Sequence, residues 1–254
     1  MARWAVTGAK QTGTSHLRRG EGCADAFAVE QGDGFLVLVA ADGAGSARFG
    51  AEGSAFASRA AARLAASALG EPSNDPLELI RAVFRDTLDD LLDMVAGQDA
   101  KDAKKAKDLR PADFHTTLLL AVLTDDFLAV GNIGDGWAVV RDREGRVRAV
   151  AAPAKSEYSN ETFFLTSSGF IEEAVYEVLP ATSLDAVALL TDGSAWFAVD
   201  LDARTPRGPV FEELFDLAAK PDVEEHLARF LSSERVARKT DDDTTLVLAV
   251  RVSD

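Results

Sequence analysis

Phe35-Leu36-Val37-Leu38-Val39-Ala40-Ala41-Asp42-Gly43-Ala44-Gly45-Ser46 is the stretch around which the chain is organised. The run from Phe35 to Ala41 is apolar and rich in β-formers, which predicts a strand buried on both faces. It stops at Asp42, and two glycines follow at once. A carboxylate at the end of a fully apolar strand is costly to bury unless something cationic neutralises it. The same device recurs twice. Val187-Ala188-Leu189-Leu190-Thr191 runs into Asp192-Gly193, and Asp241-Asp242-Asp243 directly precedes the apolar run from Thr244 to Val250. If these strands are neighbours in one sheet, their aspartates converge. An oxygen-only cluster of that kind suits a hard divalent cation such as Mg²⁺ or Mn²⁺.

Working outward, Asp25 to Glu30 alternates around Phe27 and Val29, and Gly32-Asp33-Gly34 turns it into the central strand as a hairpin. Upstream, Arg3 to Val6 predicts a short edge strand, and the glycine- and arginine-rich residues 8–23 predict a loop. Downstream, Phe49 to Leu69 predicts a helix with Phe56, Ala60, Leu64 and Ala68 as its core-facing stripe. Asp75-Pro76-Leu77-Glu78 starts a second helix, with Asp as N-cap, Pro in the first turn and Glu closing a capping box. Leu77, Ile80, Phe84, Leu88, Leu91 and Val95 mark its apolar face.

Residues 101–110 are charged and mixed, a solvated stretch or a basic docking patch. An antiparallel meander is expected over Thr116–Leu123, Phe127–Ile133, Trp137–Val140 and Val147–Val150, with Gly134-Asp135-Gly136 and Glu144-Gly145 as hairpin turns. Residues 153–172 show no clean period and are expected to form a flap or recognition loop. Strands at Val175–Val178 and Ala186–Thr191, helices at Val210–Ala219 and Val223–Leu231, and a closing strand at Thr245–Val252 complete the reading. Without a repeat or a Pro/Ser-rich linker, residues 1–254 are expected to form a single domain.

Composition excludes several functions. Asp plus Glu is 42 against 27 Lys plus Arg, a net charge of −15. Nucleic-acid binding needs a basic footprint, so it is not expected, nor is docking to an anionic membrane. The single cysteine, Cys23, allows no internal disulfide and suits a reducing compartment. Neither a signal-peptide core nor an apolar run of ~20 residues appears, so a cytoplasmic protein is expected.

Competing motifs fail on spacing. Gly43 and Gly45 suggest a dinucleotide turn, but the third glycine position is Arg48. Cys23 has Val29 where a cysteine-nucleophile phosphatase needs arginine, and Asp200-Leu201-Asp202 sits off any core strand. The histidines lack zinc-ligand spacing. His226 reads as a surface residue and His115 as a packing one. His16 lies in the basic loop ahead of Asp25, and a solvent-facing histidine is its bland alternative.

The aspartates are more informative as an ordered set. Cys23-Ala24-Asp25-Ala26, Asp42-Gly43-Ala44-Gly45, Gly131-Asn132-Ile133-Gly134-Asp135, Leu190-Thr191-Asp192-Gly193 and Asp242-Asp243-Thr244-Thr245 follow one another between about Thr12 and Val250. This order resembles the metal-dependent protein phosphatases of type 2C, and Ser15-His16 resembles a bacterial branch with a Ser-His pair ahead of the first aspartate.

The resemblance implies an α+β fold, a four-layer α-β-β-α sandwich of two antiparallel sheets flanked by helices. It implies hydrolysis of phosphoserine and phosphothreonine by a metal-activated water at a dinuclear Mg²⁺/Mn²⁺ site. Asp42 would bridge two metals, with the Gly43 carbonyl on the second and Asp192 and Asp242 completing the first. Asp25 would orient water, and Asp135 with Asp192 would hold a weaker third metal. His16 stands where the family places a phosphate-binding arginine, with Arg18 and Arg19 as its neighbours. The implied partners are a phosphoprotein substrate and a cognate serine/threonine kinase. Ala24 departs from the family's glutamate before the first aspartate, which removes a ligand of the second metal. That departure leaves a second expectation, a weakly active member that binds phosphoproteins as a regulatory module.

Overall fold

The computed structural model describes residues 3–70, 75–101, 109–153, 162–220 and 222–252. In chain order, β1 (Trp4–Gln11) leads through the short α1 (Thr14–Arg19) to the hairpin of β2 (Asp25–Gly32) and β3 (Phe35–Asp42). Two helices follow, α2 (Gly50–Ala68) and α3 (Pro76–Lys101). Next come β4 (Leu118–Thr124), β5 (Phe127–Ile133), β6 (Trp137–Asp142) and β7 (Val147–Val150). After α4 (Phe170–Glu173), β8 (Val175–Pro180) and β9 (Leu184–Leu190) run into α5 (Asp192–Ala198). The small pair β10 (Val199–Asp200) and β11 (Thr205–Pro206) precedes α6 (Gly208–Ala218), α7 (Val223–Leu231) and α8 (Glu234–Ala237). Strand β12 (Thr244–Arg251) comes last.

Two five-stranded antiparallel sheets result, ordered β1-β12-β9-β6-β7 and β2-β3-β4-β5-β8. Period-two alternation explains why β3 is apolar throughout. Leu36, Leu38 and Ala40 face Val187, Leu189, Val247 and Ala249 of the other sheet. Val37 and Val39 pack outward against Ala57 and Ala61 of α2 and Ile80 and Phe84 of α3. On the opposite side, Ala188, Leu246 and Leu248 pack against Phe211, Phe215 and Leu227 of α6 and α7. The layers are therefore α-β-β-α, as the sequence implied. Each fully buried Leu, Val or Phe contributes roughly 1.5–3 kcal/mol of transfer free energy, so the three clusters dominate stability. No helix among the described residues is long and apolar enough to cross a membrane.

Several sequence expectations need correction. The predicted loop over residues 8–23 contains the second half of β1 and all of α1. Gly8 is there because the Phe27 ring packs where its Cβ would stand, not because the chain turns. The expected meander is divided, since β4 and β5 lie in one sheet and β6 and β7 in the other. Gly134-Asp135-Gly136 is therefore a passage between sheets, with Gly134 at φ 116°. Alternation reports which residues share a face, not which sheet a strand joins.

On α2 the deepest face is Gly50, Ser54, Ala57, Ala61 and Ala65, whereas Phe56, Leu64 and Ala68 are half-buried. Small residues face inward because the helix packs closely on β2 and β3. Asp75 does cap α3, accepting the Leu77 N–H at 2.8 Å, but Glu78 pairs with Arg81 at 3.2 Å. Most of the charged stretch 101–110 and residues 154–161 of the expected flap lie outside the described residues.

Candidate metal centre

At one end of the sandwich the sheets open onto a shared rim. Strand β3 ends there in Asp42, β5 exits toward Asp135, and β9 runs into Asp192 at the start of α5. One carboxylate oxygen from each of Asp42, Asp135 and Asp192 lies within 4.8 Å of the others. Strands β3 and β9 belong to different sheets, so the aspartates converge across the sandwich, not along one sheet as the sequence reading supposed.

Backbone contacts fix each position. The Asp42 N–H donates to Thr117 Oγ1 at 2.9 Å, and its carbonyl accepts from Thr117 N at 2.9 Å and Thr116 Oγ1 at 3.0 Å. Beyond it, the Gly43 N–H bonds Ala24 O at 3.2 Å, and a Cβ on Gly43 would strike the Gly50 carbonyl. The glycine thus lets α2 start against the end of β3. Asp192 accepts the Gly193 N–H at 2.6 Å, and a Cβ on Gly193 would collide with the Asp243 carbonyl. Asp135 Oδ2 accepts from Thr162 Oγ1 at 3.0 Å, which ties the chain beyond residue 161 to the rim. Leu165 N–H to Thr116 O at 2.8 Å and a Thr166–His115 contact at 2.5 Å continue that attachment.

Asp25 stands behind the cluster, 1% exposed, its Oδ2 accepting from Thr191 and Thr245 at 2.7 Å each. Burial pushes its carboxyl up to about 6, against those hydroxyls and helped by the Asp243 charge. Burial also raises Asp42 well above the usual carboxylate range, followed by repulsion from Asp25, Asp192, Asp135 and Asp242. Asp192 is pushed up to about 8 by burial, then by Asp135, Asp242 and Asp25. For Asp135 burial raises the value and the Thr162 hydroxyl opposes it. Among the described residues, Asp25 Oδ1 and Asp135 Oδ1 are buried without a hydrogen-bond donor. Oxygen-only ligands, mutual repulsion and orphaned acceptors together fit a hard divalent cation.

Asp242 is exposed and takes the Asp243 N–H at 2.9 Å, so it joins the wall of the cleft and not the tight trio. That cleft, of about 340 Å³, is also lined by Ser15, His16, Arg19, Asp42, Gly43 and Gly45. His16 is not a solvent-facing loop residue, because it is buried within α1. Its Nδ1 stands 2.8 Å from Asp243 Oδ2, although the N–H direction is bent away from that oxygen. Arg19 pairs with Glu21 at 2.7 Å on the cleft wall, whereas Arg18 pairs with Asp241 at 3.2 Å outside it.

The sequence matches the profile described as Protein phosphatase 2C over residues 12–232. The chain belongs to the protein phosphatase 2C family. Serine/threonine-protein phosphatase 3 of Escherichia coli (strain K12) is 31% identical over 262 aligned positions, spanning 97% of this chain and 98% of that protein. Among solved structures, serine/threonine phosphatase Stp1 from Staphylococcus aureus has a TM-score of 0.64 at 16% identity, over 100% of this chain and 96% of that one. The catalytic domain of the serine/threonine phosphatase PstP, in complex with two manganese ions, has a TM-score of 0.57 at 19% identity, over 98% and 99% of the two chains.

Some residues that build this protein phosphatase 2C rim escaped sequence reasoning. Thr191, Thr245, Thr162 and Asp243 all make polar contacts to the site, yet none received a role. Thr191, Thr245 and Asp243 each lie within three residues of a singled-out aspartate, and that adjacency was the available signal. Thr162 carried none, because its partner is 27 residues away.

Proposed function

We propose that this chain is a metal-dependent protein serine/threonine phosphatase. The observation that carries the reading is the meeting of Asp42, Asp135 and Asp192 within 4.8 Å. Family membership and the named relative support it. Asp42, Asp135, Asp192 and Asp242, with the Gly43 carbonyl, would hold two Mg²⁺ or Mn²⁺ ions and a weaker third. Bound there, the ions would supply an activated water and offset the charge on the phosphoryl oxygens. Asp25, held by two hydroxyls, orients water from behind the cluster. His16 and Arg19 meet the phosphate from the cleft wall, with Arg18 contributing from farther out. An imidazole binds phosphate less strongly than a guanidinium fork, so His16 contributes less than an arginine at its position would.

The same reading makes residues 1–254 one catalytic domain, with residues 153–172 as a substrate flap. It gives the protein a cytoplasmic place in signal transduction, opposite a cognate serine/threonine kinase whose phosphorylated products it consumes. The phosphoprotein-binding module without turnover is not favoured, because such a module has no use for a cluster of repelling carboxylates. The test is release of phosphate from phosphoserine and phosphothreonine peptides with Mn²⁺ and with EDTA, for wild type and Asp42→Asn. Manganese-dependent release that Asp42→Asn abolishes is expected. Equal release by a folded Asp42→Asn protein overturns the reading.

A further inference from the structure

Asp243 is a buried carboxylate outside the proposed ligand set. It is 2% exposed, and its Oδ1 accepts the Gly13 N–H at 2.7 Å. Its Oδ2 accepts the Ala24 N–H at 2.5 Å and stands 2.8 Å from His16 Nδ1. Two lone pairs at that separation repel, so a proton must lie between the ring nitrogen and the carboxylate. At 2.8 Å a rotation of the ring would complete that hydrogen bond. With Nδ1 so engaged, Nε2 is the ring's remaining polar atom, and His16 shares the cleft wall with Asp42, Gly43 and Asp242. Glu21 stands 4.0 Å from Nε2 and is already paired with Arg19. The Gly13 turn is held equally tightly, since a Cβ there would run into the Asp242 backbone.

We propose that Asp243 is a positioning residue that fixes the tautomer and orientation of His16, so that Nε2 meets the phosphoryl group. By holding Gly13 and Ala24 with the same carboxylate, it also ties that orientation to the strand start at Asp25. A carboxylate behind a functional histidine sets which nitrogen carries the proton. An asparagine cannot replace it. The amide has one acceptor oxygen where the carboxylate has two, so its NH₂ must face either the Gly13 N–H or the Ala24 and His16 donors, and the three-way hold is lost.

Long-range ¹H–¹⁵N correlation of the histidine rings at pH 8 tests the inference without any assay of turnover. Nδ1 of His16 is expected to carry the proton in wild type and to lose that preference in Asp243→Ala, which has no acceptor to offer. A wild-type ring protonated at Nε2 alone overturns the proposal, and that measurement stands even if the variant fails to fold. The activity arm rests on the phosphatase reading. With saturating Mn²⁺ and a phosphopeptide, Asp243→Asn and His16→Ala are each expected to raise KM about tenfold, with a smaller change in kcat. The double variant should be worse than His16→Ala alone by much less than the Asp243→Asn effect, because coupled residues are non-additive. Effects that multiply in the double variant overturn the proposal. Absence of turnover in wild type would instead count against the phosphatase reading and leave the ring measurement to decide.

Discussion

Asp25 and Asp42 stand directly opposite one another as the terminal pair of the β2–β3 ladder. Like charges facing across a ladder destabilise it. The cost is offset from the other sheet, since Thr191 and Thr245 both donate to Asp25. The pair is thus a strained junction held by hydroxyls until a cation neutralises it.

Replacing Asp42 by Asn should lower phosphatase activity by two or more orders of magnitude, because one charge leaves a metal cage that also activates water. The metal-free variant should at the same time melt higher than metal-free wild type, by a few degrees for about 1 kcal/mol of relieved repulsion. Calorimetry in EDTA checks the second part. A lower Tm would mean that Asp42 repels less than its neighbours suggest.

Manganese should raise the Tm of the wild type, and EDTA should reverse the gain. A ligand that binds only the native state adds about 2.7 kcal/mol at a hundredfold excess over Kd. A melting curve unmoved by millimolar Mn²⁺ would argue against any metal at this rim.

The metal-free protein should lose stability as pH rises from about 5 to 8. Burial and neighbouring charge hold Asp25 at about 6 and Asp192 at about 8 in the folded state. An unfolded Asp titrates near ~4, so the native state binds protons more tightly and its advantage disappears as pH passes through the raised values. Thermal melts in EDTA across this range read the slope directly. A Tm that climbs from pH 5 to 8 contradicts it.

Gly193→Ala should destabilise the fold by roughly 1–3 kcal/mol, the usual cost of overpacking. Its new methyl would meet the Asp243 carbonyl, which is backbone and cannot swing aside. The check is the urea midpoint, where a change within error would show that the β12 entry yields.

Ala24→Glu should lower the Mn²⁺ concentration for half-activation about tenfold, since affinity for a hard cation follows the number of charged ligands. Ala24 already lies beside Gly43 through the 3.2 Å bond to its carbonyl. Calorimetric titration of Mn²⁺ into both proteins decides it, and equal affinities would place residue 24 off the second metal.

Much of the architecture was legible because burial writes itself into apolar periodicity. The run from Phe35 to Asp42 gave the central strand, and Asp75-Pro76 gave the start of α3. Sheet membership was not legible, because β5 and β6 carry similar apolar runs although Gly134–Gly136 sends them to different sheets. Asp42 and Asp192 were legible from their places at strand ends, whereas Asp135, in a turn, became a candidate ligand only through the family resemblance. The role of Asp243 was not legible, because its partners Gly13 and Ala24 lie more than two hundred residues away, at separations of 230 and 219.

The passage at Gly134–Gly136 has a consequence for the order in which the molecule comes into being. Because it sends successive strands to opposite sheets, the rim draws on Asp25 near the start of the chain and on Asp242 and Asp243 near its end. Contacts of such long sequence separation form late and slowly. Synthesis runs from the N-terminus, so β12 emerges after every other described strand. A chain still on the ribosome can pair β2 with β3, yet it cannot assemble the centre until β12 has emerged. Activity is then acquired only once β12 has joined the fold, and a chain that still lacks it does not act on phosphoproteins.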